Sequence, residues 1–66
     1  MNVDEIRKRI NVFHQEEGVS YKYIAGIRNI NASTFYSFTS GERSLSEDNL
    51  INLDYYLKER GYYGGL

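Results

Sequence analysis

The sequence predicts an all-α domain of four or five helices around a central helix-turn-helix. Three observations lead there. Apolar residues recur at helical spacing at Val3, Ile6, Ile10 and Phe13 and again at Leu50, Leu53 and Leu57. No proline, repeat or low-complexity stretch interrupts the 66 residues. Between Ser20 and Phe38, in the segment SYKYIAGIRNINASTFYSF, two short helical patterns face each other across a turn too tight for an ordinary loop.

Asn2 followed by Glu5 resembles a capping box, so the 3-4-3 apolar spacing that follows predicts an amphipathic helix over 3–17, stopped by Gly18. Ser20 offers its hydroxyl to the free N–H groups of the next helix start, behind which Ile24, Ala25 and Ile27 form an apolar patch. Asn29 and Ile30 alone remain to turn the chain. Two helices crossing that closely need a small side chain at the contact; Ala25 supplies it, and Ile30 plugs the inside of the turn. Asn31 is then the N-cap of a helix with Ser33 and Thr34 in its first turn and Phe35 and Phe38 on its inner side. Ser46 caps the last helix, whose first turn holds Glu47 and Asp48 at the positive end of its dipole. Leu50, Leu53 and Leu57 form its inner face, with Ile51 alongside, and Lys58 and Arg60 stand in the last turn before Gly61 ends it. Residues 1–60 thus make one domain, and 61–66 read as a flexible aromatic tail.

Composition narrows the class. The chain has room for one small core, marginal without close helix packing or a partner. It has no cysteine, so disulfides and thiolate zinc sites are excluded, which fits a cytoplasmic location. No apolar run approaches the roughly 20 residues that span a bilayer. Asp4, Glu5, Arg7, Lys8 and Arg9 occupy the place where a signal peptide needs its hydrophobic segment, and the opening Met1 suggests a complete small protein.

At Ala25, Asn29, Ile30, Phe35 and Phe38 the chain resembles helix-turn-helix proteins of the Cro and Xre repressor type. These show an alanine mid-way along the first motif helix, a turn residue four positions on, an aliphatic residue next, and large apolar residues inside the second helix. Ser40, Gly41, Glu42 and Arg43 look like the segment that leaves the second helix in many of them. Asn29 stands where glycine is usual, and Arg28 where an aliphatic residue usually packs. The resemblance implies a lambda-repressor-like fold and a DNA-binding transcriptional regulator of phage or mobile-element type. Such a regulator binds double-stranded DNA, reading the major groove with the second motif helix as a homodimer over two half-sites.

On that reading Ala32, Ser33, Thr34, Tyr36 and Ser37 face the bases, with Ser40 at the far end of the same helix. Ser33 and Ser37 can hydrogen-bond several bases, and Ala32 and Thr34 can touch a thymine methyl. None of these five is Arg, Lys, Asn or Gln, the types that make the strong bidentate pairings. Ser20, Tyr21, Lys22, Ser40 and Arg43 are the expected phosphate contacts. Nine acidic residues nonetheless outnumber eight basic ones, and the pI is near 5.7, where strong DNA binders lie above about 9. Acidic side chains at Glu47, Asp48 and Asp54 on the opposite face would reconcile the two.

Other chemistry finds little footing. His14 with Glu17 three residues on does not make a metal site and reads as a surface histidine. Arg28 is expected to lay its stem over the motif and send its charge to solvent. No nucleophile–base pair, phosphate loop or cofactor fingerprint occurs, so neither an enzyme nor a cofactor is expected. Seven tyrosines are many for this length. Tyr62, Tyr63 and Leu66 either fold back over the core or, with Tyr56 on the last helix, form a dimer or partner interface. The rival class to a DNA regulator is therefore a small phage or mobile-element protein that uses the scaffold to bind and inhibit a host protein, in the manner of an anti-CRISPR.

Overall fold

Every helix of the chain starts at a side chain that accepts from its third residue on. In the computed structural model, which describes residues 2–63, the helices are α1 (Val3–Glu17), α2 (Tyr21–Ile27), α3 (Ala32–Thr39) and α4 (Glu47–Glu59). Asn2 Oδ1 accepts from Glu5 N at 3.0 Å, Ser20 Oγ from Tyr23 N at 3.0 Å, Asn31 Oδ1 from Thr34 N at 3.1 Å and Ser46 Oγ from Asn49 N at 3.3 Å. Each cap satisfies an N–H that has no partner within its helix. Gly18 ends α1 at φ 68°, in the left-handed region, with its N–H on His14 O at 3.0 Å. No strand and no fifth helix occurs among the described residues, and no helix there is long and apolar enough to cross a membrane.

Between α2 and α3 the chain turns at Asn29, whose φ of 58° is one that Asn tolerates better than most side chains. Ile30 N then donates to Ala25 O at 2.9 Å, which folds the turn back on α2 and buries both residues. Ile6, Ile10 and Phe13 of α1 join Ile24, Ala25, Ile30, Phe35, Phe38 and Leu45 with Leu50, Leu53, Tyr56 and Leu57 of α4 in a single core. Burial of a large apolar side chain contributes about 1.5–3 kcal/mol. Helix α1 packs on α4 and crosses α3, and α2 packs on α3.

A buried charge pair crosses the α1–α4 contact. Arg9 is 6% exposed, and its Nη1 donates to Asp54 Oδ1 at 2.6 Å. Lys58 reaches the other oxygen of Asp54 at 3.1 Å. Burial pushes the Asp54 carboxyl up, but hydrogen bonds and positive charge from Arg9 and Lys58 outweigh it and hold the pKa below the ordinary value. Asp54 therefore serves the core, where the sequence placed it on an outward acidic face.

Of the tyrosines expected at an interface, Tyr56 belongs to this core and Tyr62 packs against it. Tyr56 is 2% exposed, with the Phe13 ring edge-on at 5.6 Å and the Arg60 guanidinium 3.9 Å from its ring centre, so it offers no surface to a partner. Tyr62 folds back: its ring meets Phe13 edge-on at 5.1 Å, and its carbonyl accepts from Arg9 Nε at 2.8 Å. Its hydroxyl lies 2.7 Å from Glu17 and 3.0 Å from Glu16, and the Glu17 carboxylate, burial and Glu16 together raise its pKa well above the ordinary value. The expected flexible tail is thus anchored at its second residue. Tyr63 is exposed, and Leu66 lies outside the described residues.

Candidate nucleic-acid interface

Helix α3 turns Phe35 and Phe38 wholly inward, which fixes what it shows outside. Ser33 and Tyr36 are exposed, while Ala32, Thr34 and Ser37 are half-buried. Of the five residues expected to face bases, two therefore present most of their surface. Tyr36 stands edge-on to Tyr21 at 6.1 Å, which limits how its ring can tilt. The Ser37 carbonyl closes the end of the helix by accepting from Glu42 N at 2.9 Å, Ser40 Oγ at 3.1 Å and Arg43 N at 3.3 Å.

Phosphate oxygens only accept, so a phosphate contact needs a free donor. Ser20 qualifies, because its Oγ accepts from Tyr23 N and leaves the hydroxyl proton available. Lys22 and Arg43 qualify too: both are exposed, and neither forms an ion pair among the described residues. Their backbones are held firmly. Arg43 N donates to Ser37, and Arg43 O accepts from Arg7 Nη2 at 3.1 Å. Lys22 lies between Tyr21, anchored to α1, and the capped N–H of Tyr23.

Tyr21 and Ser40 do not qualify. The single hydroxyl proton of Ser40 is given to Ser37 O. Tyr21 donates to Asn11 Oδ1 at 2.7 Å, Asn11 Nδ2 in turn donates to Thr39 O at 3.3 Å, and the Tyr21 ring stacks on His14 at 3.9 Å. Burial raises the Tyr21 pKa. Tyr21 is thus a strut joining α1, α2 and the end of α3, and His14, expected at the surface, is half-buried beneath it with Nδ1 donating to Val19 O. Arg7 is a second strut. Its Nε donates to Phe38 O at 2.6 Å, and its guanidinium lies 4.9 Å from the Phe38 ring centre, at the C-terminal end of α3 where a cation is favoured.

Arg28 also departs from expectation. Its Nε donates to Asn52 Oδ1 at 2.7 Å, and Asn52 Nδ2 returns a bond to Arg28 O at 3.0 Å, which ties the end of α2 to α4 and keeps the guanidinium over Tyr56.

Two features of this surface escaped the reading by helix face. No Asp or Glu occurs between Glu17 and Glu42, so both α2 and α3 are free of acid although the whole chain is slightly acidic. Asn29, exposed in the turn before α3, keeps a side-chain amide with no hydrogen bond among the described residues, and a carboxamide is the group that pairs bidentately with adenine. Its place outside the helix hid it, and its type was the available signal. Among the described residues no group of three or more His, Asp or Glu side chains is placed to hold a metal ion.

No protein-family model, curated protein or solved structure matches the chain.

Proposed function

We propose that this protein is a DNA-binding regulator that presents α3 to the major groove in the manner of Cro- and Xre-type helix-turn-helix domains. The observation that carries the reading is the pairing of two uncommitted cations on clamped backbones, Lys22 and Arg43, with an acid-free α2–α3 surface. Local charge, not net charge, governs approach to phosphate at distances within a Debye length of about 8–10 Å. Lys22, Arg43 and the Ser20 hydroxyl position the duplex, while Ser33, Tyr36 and Asn29 touch base edges. With so few strong pairings, sequence preference rests partly on DNA shape.

A second reading is favoured by the exposed Tyr23 and Ile27 on α2. Such apolar exposure beside the same surface suits a protein partner, as in a small inhibitor of a host protein. A gel-shift against the DNA upstream of its own coding sequence, run beside a pull-down from host lysate, separates the two. Retention that weakens steeply as salt rises supports the regulator. Retention absent at low salt, with a stoichiometric protein captured instead, overturns it.

A further inference from the structure

The outward side of α3 is divided along its length. With Phe35 and Phe38 turned inward, residues at i and i+4 share a row. Half-buried Ala32 and exposed Tyr36 make one row, a methyl group beside an aromatic ring. Ser33 and Ser37 make the next, two hydroxyls that form no hydrogen bond among the described residues. Tyr36 keeps 47% of its surface open, and its ring is braced edge-on by Tyr21, which is itself bonded to Asn11 and stacked on His14. The apolar row is thereby prepositioned, so contact costs it little further ordering.

Base edges in the major groove differ in the pattern such a surface would meet. Thymine shows its C5 methyl group beside the O4 acceptor, an apolar group next to a polar one. Guanine shows N7 and O6, two acceptors and no methyl. A methyl-and-ring row beside a hydroxyl row fits the first. Against the second, the apolar row would strip water from an acceptor and return no hydrogen bond. Helix α3 contains no Arg or Lys to satisfy both guanine acceptors.

We propose that α3 reads the C5 methyl group of pyrimidines in the major groove, with Ala32 and Tyr36 packing on the methyl and Ser33 bonding the polar group beside it. In thymine that group is O4, to which the hydroxyl donates. 5-Methylcytosine carries its methyl at the same groove position beside an amino group, from which the hydroxyl accepts. The methyl is the shared chemistry, and these two bases are its sources.

Because the proposal rests on the DNA-binding reading, its test keeps the two failures apart. Fluorescence anisotropy of the full chain compares duplexes of about two helical turns: alternating A·T, the same with uracil for thymine, alternating G·C, and the same with 5-methylcytosine for cytosine. Uracil lacks only the methyl, so phosphates and minor-groove edges are unchanged. All should bind with salt-dependent affinity. Uracil should weaken the A·T duplex at least about fourfold, the effect of one buried methyl group, and 5-methylcytosine should tighten the G·C duplex by a similar factor. Tyr36→Ser and, independently, Ala32→Gly should shrink the thymine–uracil difference while the salt slope and helical circular dichroism stay at the parent's values. Equal binding of the A·T and A·U duplexes, or variants that discriminate as the parent does, overturns methyl reading and leaves the DNA-binding reading standing. A gain from thymine with none from 5-methylcytosine assigns the site to thymine alone. A chain that binds none of the duplexes at low salt overturns both.

Discussion

Helices α1 and α4 are held together by an ion pair, whereas α2 and α3 are fastened without a carboxylate. At the α1–α4 contact Arg9, Asp54 and Lys58 form a partly buried ion triad, and Arg9 also secures the Tyr62 carbonyl. At α2 and α3 the fastenings use no carboxylate: Ser20, Asn31, the Asn11–Tyr21 pair and the Arg28–Asn52 exchange are joined by Arg7, and the two guanidinium groups meet a carboxamide and the carbonyls of Phe38 and Arg43. Neither α2 nor α3 contains an Asp or Glu, and neither Lys22 nor Arg43 forms an ion pair among the described residues.

The difference breaks first at Asp54. Asp54→Ala leaves Arg9 charged and buried without its carboxylate, a loss of about 3–5 kcal/mol, which in so small a domain should show as a drastic fall in melting temperature. A variant that melts within a few degrees of the parent would remove the pair from the account. The pH dependence sharpens the point. Because the folded pKa of Asp54 is lowered, its contribution is complete above the ordinary carboxylate range near 4 and disappears as pH falls through the folded value. Asp54→Asn should therefore flatten the acid limb of a stability curve below about pH 4.

On the neutral side the largest effect is steric. Ala25→Leu adds three carbons at a contact that is 1% exposed, at a cost of about 1–3 kcal/mol, and thermal melting should fall at all pH values alike. An unchanged melt would show that α2 and α3 tolerate a wider separation. Smaller in stability but plain in binding, Lys22→Ala and Arg43→Ala should each weaken DNA affinity for all sequences and each lower the salt slope by about one unit. Fluorescence anisotropy over a salt series measures this, and slopes equal to the parent's would show that these cations touch no phosphate. Least of all, Ser33→Ala should leave the melting temperature nearly unchanged, within about 0.5 kcal/mol, and alter base preference in a selection from random duplexes; an identical preference would place Ser33 off the groove.

The four helices were legible because each is announced by its own cap and stripe: Asn2, Ser20, Asn31 and Ser46 stand where the structure has them, and Gly18 ends α1. Spacing tells which way a side chain points, not what crosses above it. Tyr21 lies on the half-buried side of α2, but only the approach of α1 makes Asn11 its partner. Tyr56 looked like surface because tyrosine carries a hydroxyl; its ring is enclosed by Phe13 and two guanidinium groups. Arg9 was more accessible to reasoning. It falls three residues after Ile6 and four before Phe13, on the apolar stripe, and Asp54 falls between Leu50 and Leu57 on the facing one. A cation on one buried stripe and an anion on another already imply each other.

The bond from Arg9 Nε to Tyr62 O spans 53 residues, nearly the whole chain. Synthesis delivers the N-terminus first, so α1 must wait with its cation solvated until both Asp54 and Tyr62 have been made. The native state is then out of reach for a growing chain. The last native fastening of α1 closes only when residue 62 has been added, and a chain ending before Asp54 would leave the Arg9 guanidinium without its carboxylate.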